Sequence, residues 1–214
     1  MIHASSIKHA ISGLDVAIVG NAESLLSMEH GAAIDDHTHV IRINCGIPDG
    51  THPRSVLGSR MTIWAGRMIP GHKKGKHRHG GIGALFDLTD KQWSALQQMW
   101  IWEGEPLIRE DHRQKIAVPF KQRRKALYLP YEWTNKPTAG LMTIATALRH
   151  GQPRVIHLFG FDWFDTVSWT SNRKHPGMST PEEHGNYEYG LLRDCGMALH
   201  PTLEGVYEIR GSST

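Results

Sequence analysis

The chain has 214 residues, 39% of them hydrophobic, with 24 Lys and Arg against 21 Asp and Glu and a formal charge of +3. That length suits one sizeable core and a single domain over 1–214. No run reaches the roughly 20 apolar residues of a membrane helix, and the small basic excess suits an anionic ligand without demanding nucleic acid. Cys45 and Cys195 form no metal spacing and no disulfide framework, and the first ten residues lack the apolar stretch of a signal peptide. A reducing cytoplasm is the expected compartment, with peripheral contact at the inner face of a membrane as an extension of it.

In chain order, Asp15 to Val19 is a short apolar run ending at Gly20, the pattern of a strand buried on both faces. Leu25 to Ile34 reads as a helix interrupted by Gly31. His39 to Asn44 and Met61 to Ala65 read as further strands, the second closed by Gly66. Residues 67–82 form a loop rich in Gly, Lys, Arg and His. Thr89 caps an expected helix from Asp90 to about Trp100, with Trp93, Leu96 and Trp100 at helical spacing. Lys115 to Pro119 and Ala126 to Leu129 are expected strands around a charged turn at 121–125.

Thr138 to His150 is the clearest helix, because Leu141, Ile144, Ala145 and Leu148 recur at i, i+3, i+4 and i+7. Gly151 is its expected stop. Val155 to Phe159 is another apolar strand ending at Gly160. Ser168 to Thr180 reads as polar loop, Pro181 to about Met197 as a helix, and the region near Tyr207 as a last strand. Alternating strands and helices imply an α/β fold: a mostly parallel, Rossmann-like sheet with flanking helices and ligands at the carboxyl ends of its strands.

Two segments resemble phosphate grips. At Gly20-Asn21-Ala22, with Ser24 beyond, a strand hands over to a helix through small and polar residues. At Thr138-Ala139-Gly140 a hydroxyl and two small residues precede a helix. Helix N-termini present unpaired N–H groups to anions, and small residues let a ligand reach the backbone. Either loop alone is more often structural. Gly20 is not followed by the dinucleotide glycine spacing, and the Walker phosphate loop is absent, so the common nicotinamide and ATP readings lose ground.

Further residues carry a family likeness. Ile18-Val-Gly-Asn21, Gly31, Ile34-Asp35-x-His37 and Val40-Ile-Arg-Ile-Asn44 resemble the large sialyl motif of glycosyltransferase family 29, the sialyltransferases. Lys136-Pro-Thr-Ala-Gly140 with its helix, and Ile156-His-Leu-Phe-Gly-Phe161, resemble the small sialyl motif. The resemblance implies a glycosyltransferase with that family's GT-A-like variant of the nucleotide-binding fold. It implies that Asn21 and Asn44 contact the cytidine monophosphate of the donor. By the same resemblance Thr138, Ala139 and Gly140 hold donor phosphate or carboxylate, and Gly160 and Phe161 line the nucleoside. His184, in Glu182-Glu-His-Gly-Asn-Tyr-Glu188, resembles the family's catalytic base, although Glu188 follows it by four residues rather than five. His175 is the nearest match to the family's phosphate-binding histidine. The disulfide that joins the two motifs in animal members is not expected here, and neither is their membrane anchor, which suggests a short bacterial-type member.

No Asp-x-Asp occurs in the chain. A metal helps most when the leaving group is a diphosphate, whereas a monophosphate can be met by helix N-termini and a cationic histidine. The expectation is therefore metal-independent, inverting transfer from CMP-sialic acid or CMP-Kdo to a glycan hydroxyl, without a cofactor. His184 would take the acceptor proton, and His175 or His157 would give one to the departing phosphate. The acceptor would be a glycan such as lipopolysaccharide or capsule, met by the basic 72–79 loop, whose plainer reading is a solvated loop; of Trp93, Trp100 and Trp102 as candidates for stacking on sugars, the first two, at helical spacing, fit a core better. Two rival readings stand beside this one: a nucleotide-binding module without catalysis, and a nucleic-acid binder using the 72–79 and 121–125 stretches.

Overall fold

The computed structural model describes residues 4–44, 46–48, 50–67, 97–101, 138–170 and 181–211, with backbone alone at 4–7, 66–67, 97–101, 149–150 and 181–184. Strands β1 (Asp15–Val19), β2 (His39–Ile43), β3 (Ile63–Arg67), β4 (Gln97–Ile101), β5 (Val155–Phe159), β6 (Ala198–Leu199) and β7 (Tyr207–Arg210) form one sheet. Their spatial order is β4-β3-β2-β1-β5-β7-β6. The strands from β4 to β5 run parallel, while β7 is antiparallel to β5 and β6 to β7. The helices are α1 (Ala4–Ile11), α2 (Gly31–Asp36), α3 (Arg54–Leu57), α4 (Ala139–Thr146) and α5 (Pro181–Asp194).

The unbroken apolar runs follow from burial on both faces. On β1, Val16 and Ile18 join Ile41, Ile63, Leu141, Ile144, Ile156, Leu158 and Leu192 in a core beneath α4 and α5. Ala17 and Val19 face the other way, into a core with Leu25, Ile34, Val40, Leu57 and Phe159 beneath α2 and α3. Each fully buried Ile, Leu or Phe contributes about 1.5–3 kcal/mol relative to exposure. The chain runs outward from β1 to β4, then returns to place β5 on the other side of β1. The carboxyl ends of β1 and β5 thus flank the point where strand order reverses, where such sheets bind ligands.

The parallel α/β architecture and the strands at 15–19, 39–43 and 155–159 agree with the sequence reading. Four details differ. Residues 25–34 do not form one helix: a 3-10 turn at Glu23–Ser27 is followed by α2, which starts at Gly31. A Cβ at Gly31 would lie 1.9 Å from the Arg54 carbonyl oxygen, so this glycine serves close approach of α3. Residues 97–100 are strand rather than helix, since β4 pairs along β3 from Ile63↔Gln97 to Arg67↔Ile101. The open edge of β3 overrides a loose helical spacing there. Gly66 lies inside β3 instead of ending it. Beyond α4 the chain makes a π turn, Ala147–Gly151, and the left-handed residue is Gln152, with φ 53°. Gly151 instead makes room for Ile11 of α1, whose Cδ1 would lie 2.3 Å from a Cβ. The expected elements at 67–82, 89–96, 115–119, 121–125, 126–129 and 171–180 lie outside the described residues, apart from Arg67 at the end of β3.

Candidate functional site

At the end of β1, the Gly20 N–H donates to the Phe159 carbonyl at 2.7 Å. A Cβ on Gly20 would sit 2.3 Å from the Gly160 carbonyl oxygen, and Gly160 has φ 67°, in the left-handed region. Neither position accepts a side chain without backbone movement. Phe161 follows, and its ring lies between the two predicted loops: Cδ2 is 3.1 Å from a Cβ built on Gly20, and Cε1 is 2.9 Å from one built on Gly140. The fold thereby brings Gly20, Gly140, Gly160 and Phe161 together, although more than a hundred residues separate the first two.

Thr138 caps α4. Its Oγ1 accepts from the Leu141 N–H at 3.1 Å, while its own hydroxyl and N–H donate to Glu188 Oε2 and Oε1 at 2.7 and 2.8 Å. Glu188 is 2% exposed. Ala139 and Gly140 occupy the first turn of α4, where a helix has no internal acceptor for its N–H groups. This end of α4 is the part of the site suited to an anion.

The first loop differs from expectation. Three of its N–H groups are taken: Ala22 donates to Gly160 O at 3.2 Å, Glu23 to Val167 O at 2.8 Å, and Ser24 to Thr166 Oγ1 at 3.2 Å. The segment after β5 folds back here, with Ala22 and Ser168 forming an antiparallel bridge. The main-chain N–H groups of Ala22 and Ser24 therefore hold the loop in place and are not open to a phosphate. Asn21 packs its side chain against Gly46, where a Cβ would lie 2.0 Å from Oδ1. Its Nδ2 donates to Ile43 O at 3.2 Å, and its buried Oδ1 has no partner among the described residues. Asn44 sits just past β2 with φ 48°, its N–H donating to Ala65 O at 2.8 Å and its carbonyl accepting from Trp64 Nε1 at 2.8 Å.

Other motif residues turn out to be structural. Arg42 is fully buried, donating from Nε to Arg60 O at 3.0 Å and from Nη2 to Leu57 O at 2.5 Å. Burial lowers its pKa to about 10, against the nearby Asp35 charge. Asp35 accepts from the N–H groups of Ser59 and Arg60 at 2.8 and 2.7 Å, pinning the turn before β3. Burial pushes the Asp35 pKa up, but these hydrogen bonds outweigh it and the net shift is downward.

The loop after Phe161 holds two successive aromatic residues in the left-handed region, Trp163 at φ 57° and Phe164 at φ 73°. Asp162 stabilises it, accepting from the Phe164 and Thr166 N–H groups and from the Thr166 hydroxyl. Gly185 of α5 abuts this loop, where a Cβ would lie 1.8 Å from the Trp163 carbonyl oxygen. His184, the preceding residue, is thus placed by its backbone against the loop that leaves the carboxyl end of β5. His175 lies outside the described residues.

His157 does not fit its expected task. It lies in mid-strand, paired with Ala17 and three residues before Gly160. Its Nδ1 is 2.7 Å from His37 Nε2, and His37 Nδ1 is 2.8 Å from Ala33 O. His157, His200 and Glu208 each offer a ligand atom within 4.8 Å of the others. His200 Nδ1, however, accepts from the Thr202 and Leu203 N–H groups at 3.2 and 3.1 Å. That fixes its proton on Nε2 and leaves no lone pair there for a cation.

Sequence reasoning missed the role of Glu188. A signal was present, because Gly185, Glu188 and Leu192 fall on one stripe of α5 and all three are buried. A carboxylate on such a stripe needs a polar partner. It also passed over Trp64, whose indole N–H gives no periodic signature.

No family model and no curated protein matches the chain. Among solved structures it is similar to a mammalian sialyltransferase in complex with Gal-beta-1-3GalNAc-ortho-nitrophenol, and to a mammalian sialyltransferase. Each pairing has a TM-score of 0.48 and 14% identity, and covers 91% of this chain and 71% of the other. Likeness of that degree assigns no activity. Both neighbours are mammalian and lend nothing to the expectation of a short bacterial-type member.

Proposed function

We propose that the protein is an inverting glycosyltransferase that moves sialic acid or Kdo from a CMP-sugar to a glycan hydroxyl without a metal ion. The observation that carries this reading is the Phe161 ring set between Gly20 and Gly140 where strand order reverses, beside the capped end of α4. Gly160 and Phe161 meet Gly20 and Gly140 at that point, and Asn21 and Asn44 lie at the carboxyl ends of β1 and β2, an arrangement that supports a nucleotide monophosphate site. The first-turn N–H groups of α4 would meet the donor phosphate, and Asn21 Oδ1 would accept a hydrogen bond from the nucleotide.

In the reaction, His184 accepts the proton of the acceptor hydroxyl as its oxygen bonds to the anomeric carbon. The bond from that carbon to the phosphate oxygen breaks, and CMP leaves with the electron pair. The lack of any Asp-x-Asp suits a monophosphate leaving group. The acceptor class, lipopolysaccharide- or capsule-like, and contact with a membrane face rest on the basic 72–79 stretch alone, and a cytoplasmic location rests on two cysteines that form no disulfide framework.

Calorimetry against CMP, UMP, AMP and NAD tests the donor class, with CMP expected to bind tightest. His184→Ala should then abolish turnover of CMP-sugar while leaving CMP affinity within about twofold, since a base acts on the acceptor proton. Equal binding of all four ligands would sink the proposal. Tight CMP binding with no turnover across an acceptor panel would favour a non-catalytic module.

A further inference from the structure

We infer that Trp64 is a positioning residue for Asn44, setting that side chain at the nucleotide by holding its backbone through the indole N–H. The inference rests on the CMP-sugar reading above and concerns how the same site is built.

Asn44 is the first residue beyond β2 and leaves the strand at φ 48°, a conformation asparagine tolerates better than most residues. Both of its main-chain polar groups are tied to β3. The N–H reaches Ala65 O, continuing the ladder of the Ile43↔Ala65 pair, and the carbonyl takes the indole N–H of Trp64, each at 2.8 Å. A backbone that turns left-handed swings its carbonyl out of the ladder, so a side-chain donor has to replace the strand donor. Trp64 is 5% exposed, and its ring has little room to move. On the other side, Asn21 Nδ2 and the Gly46 N–H both donate to Ile43 O, at 3.2 and 2.9 Å. One chain of hydrogen bonds therefore runs from the β1 loop through Ile43 and Asn44 to Trp64. Any large apolar side chain would fill the core at position 64, but only the indole N–H reaches the turned carbonyl.

The test is CMP titration of wild type, Trp64→Phe, Asn44→Gly and the double variant, with melting temperatures read in parallel. Trp64→Phe removes one buried hydrogen bond and should weaken CMP binding about five- to tenfold. Adding it to Asn44→Gly should weaken binding no further, because glycine has no side chain left to place. A merely structural role would lower the melting temperature in both backgrounds and leave affinity alone. Wild-type affinity in Trp64→Phe, or the full extra loss in the double variant, would overturn the inference. If folded wild type does not bind CMP, the donor-site reading itself falls and takes this one with it. Should Trp64→Phe fail to fold, 3-benzothienylalanine at position 64 keeps the indole shape without the N–H, and the same loss is expected.

Discussion

At Gly20–Ser24 the N–H groups of Ala22, Glu23 and Ser24 are bound by the segment that returns after β5. At Thr138–Gly140 the first turn of α4 comes after a capping threonine, and the helix runs on for eight residues. The two loops share a composition of small and hydroxylic residues, but only one opens a helix of useful length. The first leads into no more than a five-residue 3-10 turn. Anion binding thus depends less on the loop than on the element behind it. The β1 loop acts as a wall held by backbone, and the α4 end acts as the electrostatic grip.

The largest expected effect of breaking this division comes at Gly20. Gly20→Ala forces a methyl to within 2.3 Å of the Gly160 carbonyl oxygen, just past the end of the neighbouring strand, and both strands are buried. Destabilisation of about 3 kcal/mol is expected, read as a lowered midpoint in urea unfolding. Gly140→Ala meets a ring edge instead, at 2.9 Å, and the Phe161 ring can turn. That variant should stay nearly as stable as wild type but lose CMP affinity. Equal stability losses in the two would contradict the roles of wall and grip.

Next in size is Glu188→Ala, which strands the Thr138 N–H and hydroxyl beside an empty carboxylate site. Each buried group left unpaired costs about 1–3 kcal/mol. Stability and CMP affinity should fall together, because the same bonds fix the end of α4. Glu188→Gln keeps one acceptor and should fall between Glu188→Ala and wild type. A Glu188→Ala variant with unchanged affinity would mean that the α4 end does not hold the nucleotide. Thr166→Val is the matching change on the other loop. It frees the Ser24 N–H, and CMP affinity should move by no more than about twofold. A larger change would show that the first loop grips the anion after all.

The sheet was legible in the sequence because a strand buried on both faces writes a continuous apolar run, as at Val16–Val19 and Ile156–Phe159. The α4 helix was legible because Leu141, Ile144 and Leu148 recur on one face. The split of 25–34 was not, since Gly31 serves a tertiary contact with Arg54 that no local pattern records. The short strand Ala198–Leu199, exposed on an edge, carries no alternation to read. At the site, Gly20, Asn21, Thr138, Gly140 and Phe161 could be picked out one by one, but the meeting of Gly20 and Gly140 at the Phe161 ring depends on strand order. The stripe of α5 says that Glu188 needs a polar partner, but nothing near it says that the partner is Thr138, fifty residues away on another element.

The smallest effect concerns the mid-sheet histidines, a region that should be separate from the site. Because His37 Nδ1 faces Ala33 O, its Nε2 accepts, and His157 must donate from Nδ1. Burial first, and then the charges of His37 and His200, hold the His157 pKa below its ordinary 6.5, with Asp15 and Glu208 pulling the other way. His39 is lowered likewise, by burial and by Arg60. A histidine whose folded pKa is depressed binds its proton more readily in the unfolded chain. The stability from its neutral form is therefore complete above pH 6.5 and declines as pH falls from there toward the folded pKa. Melting temperature should be flat above about pH 7.5 and fall below 6.5, and His157→Gln should flatten part of that fall, leaving the His39 share. CMP affinity at neutral pH should be the same in His157→Gln as in wild type, because this group lies in mid-strand, three residues before Gly160, and donates to His37. A drop in affinity would tie the histidines to the nucleotide and undo the separation between them.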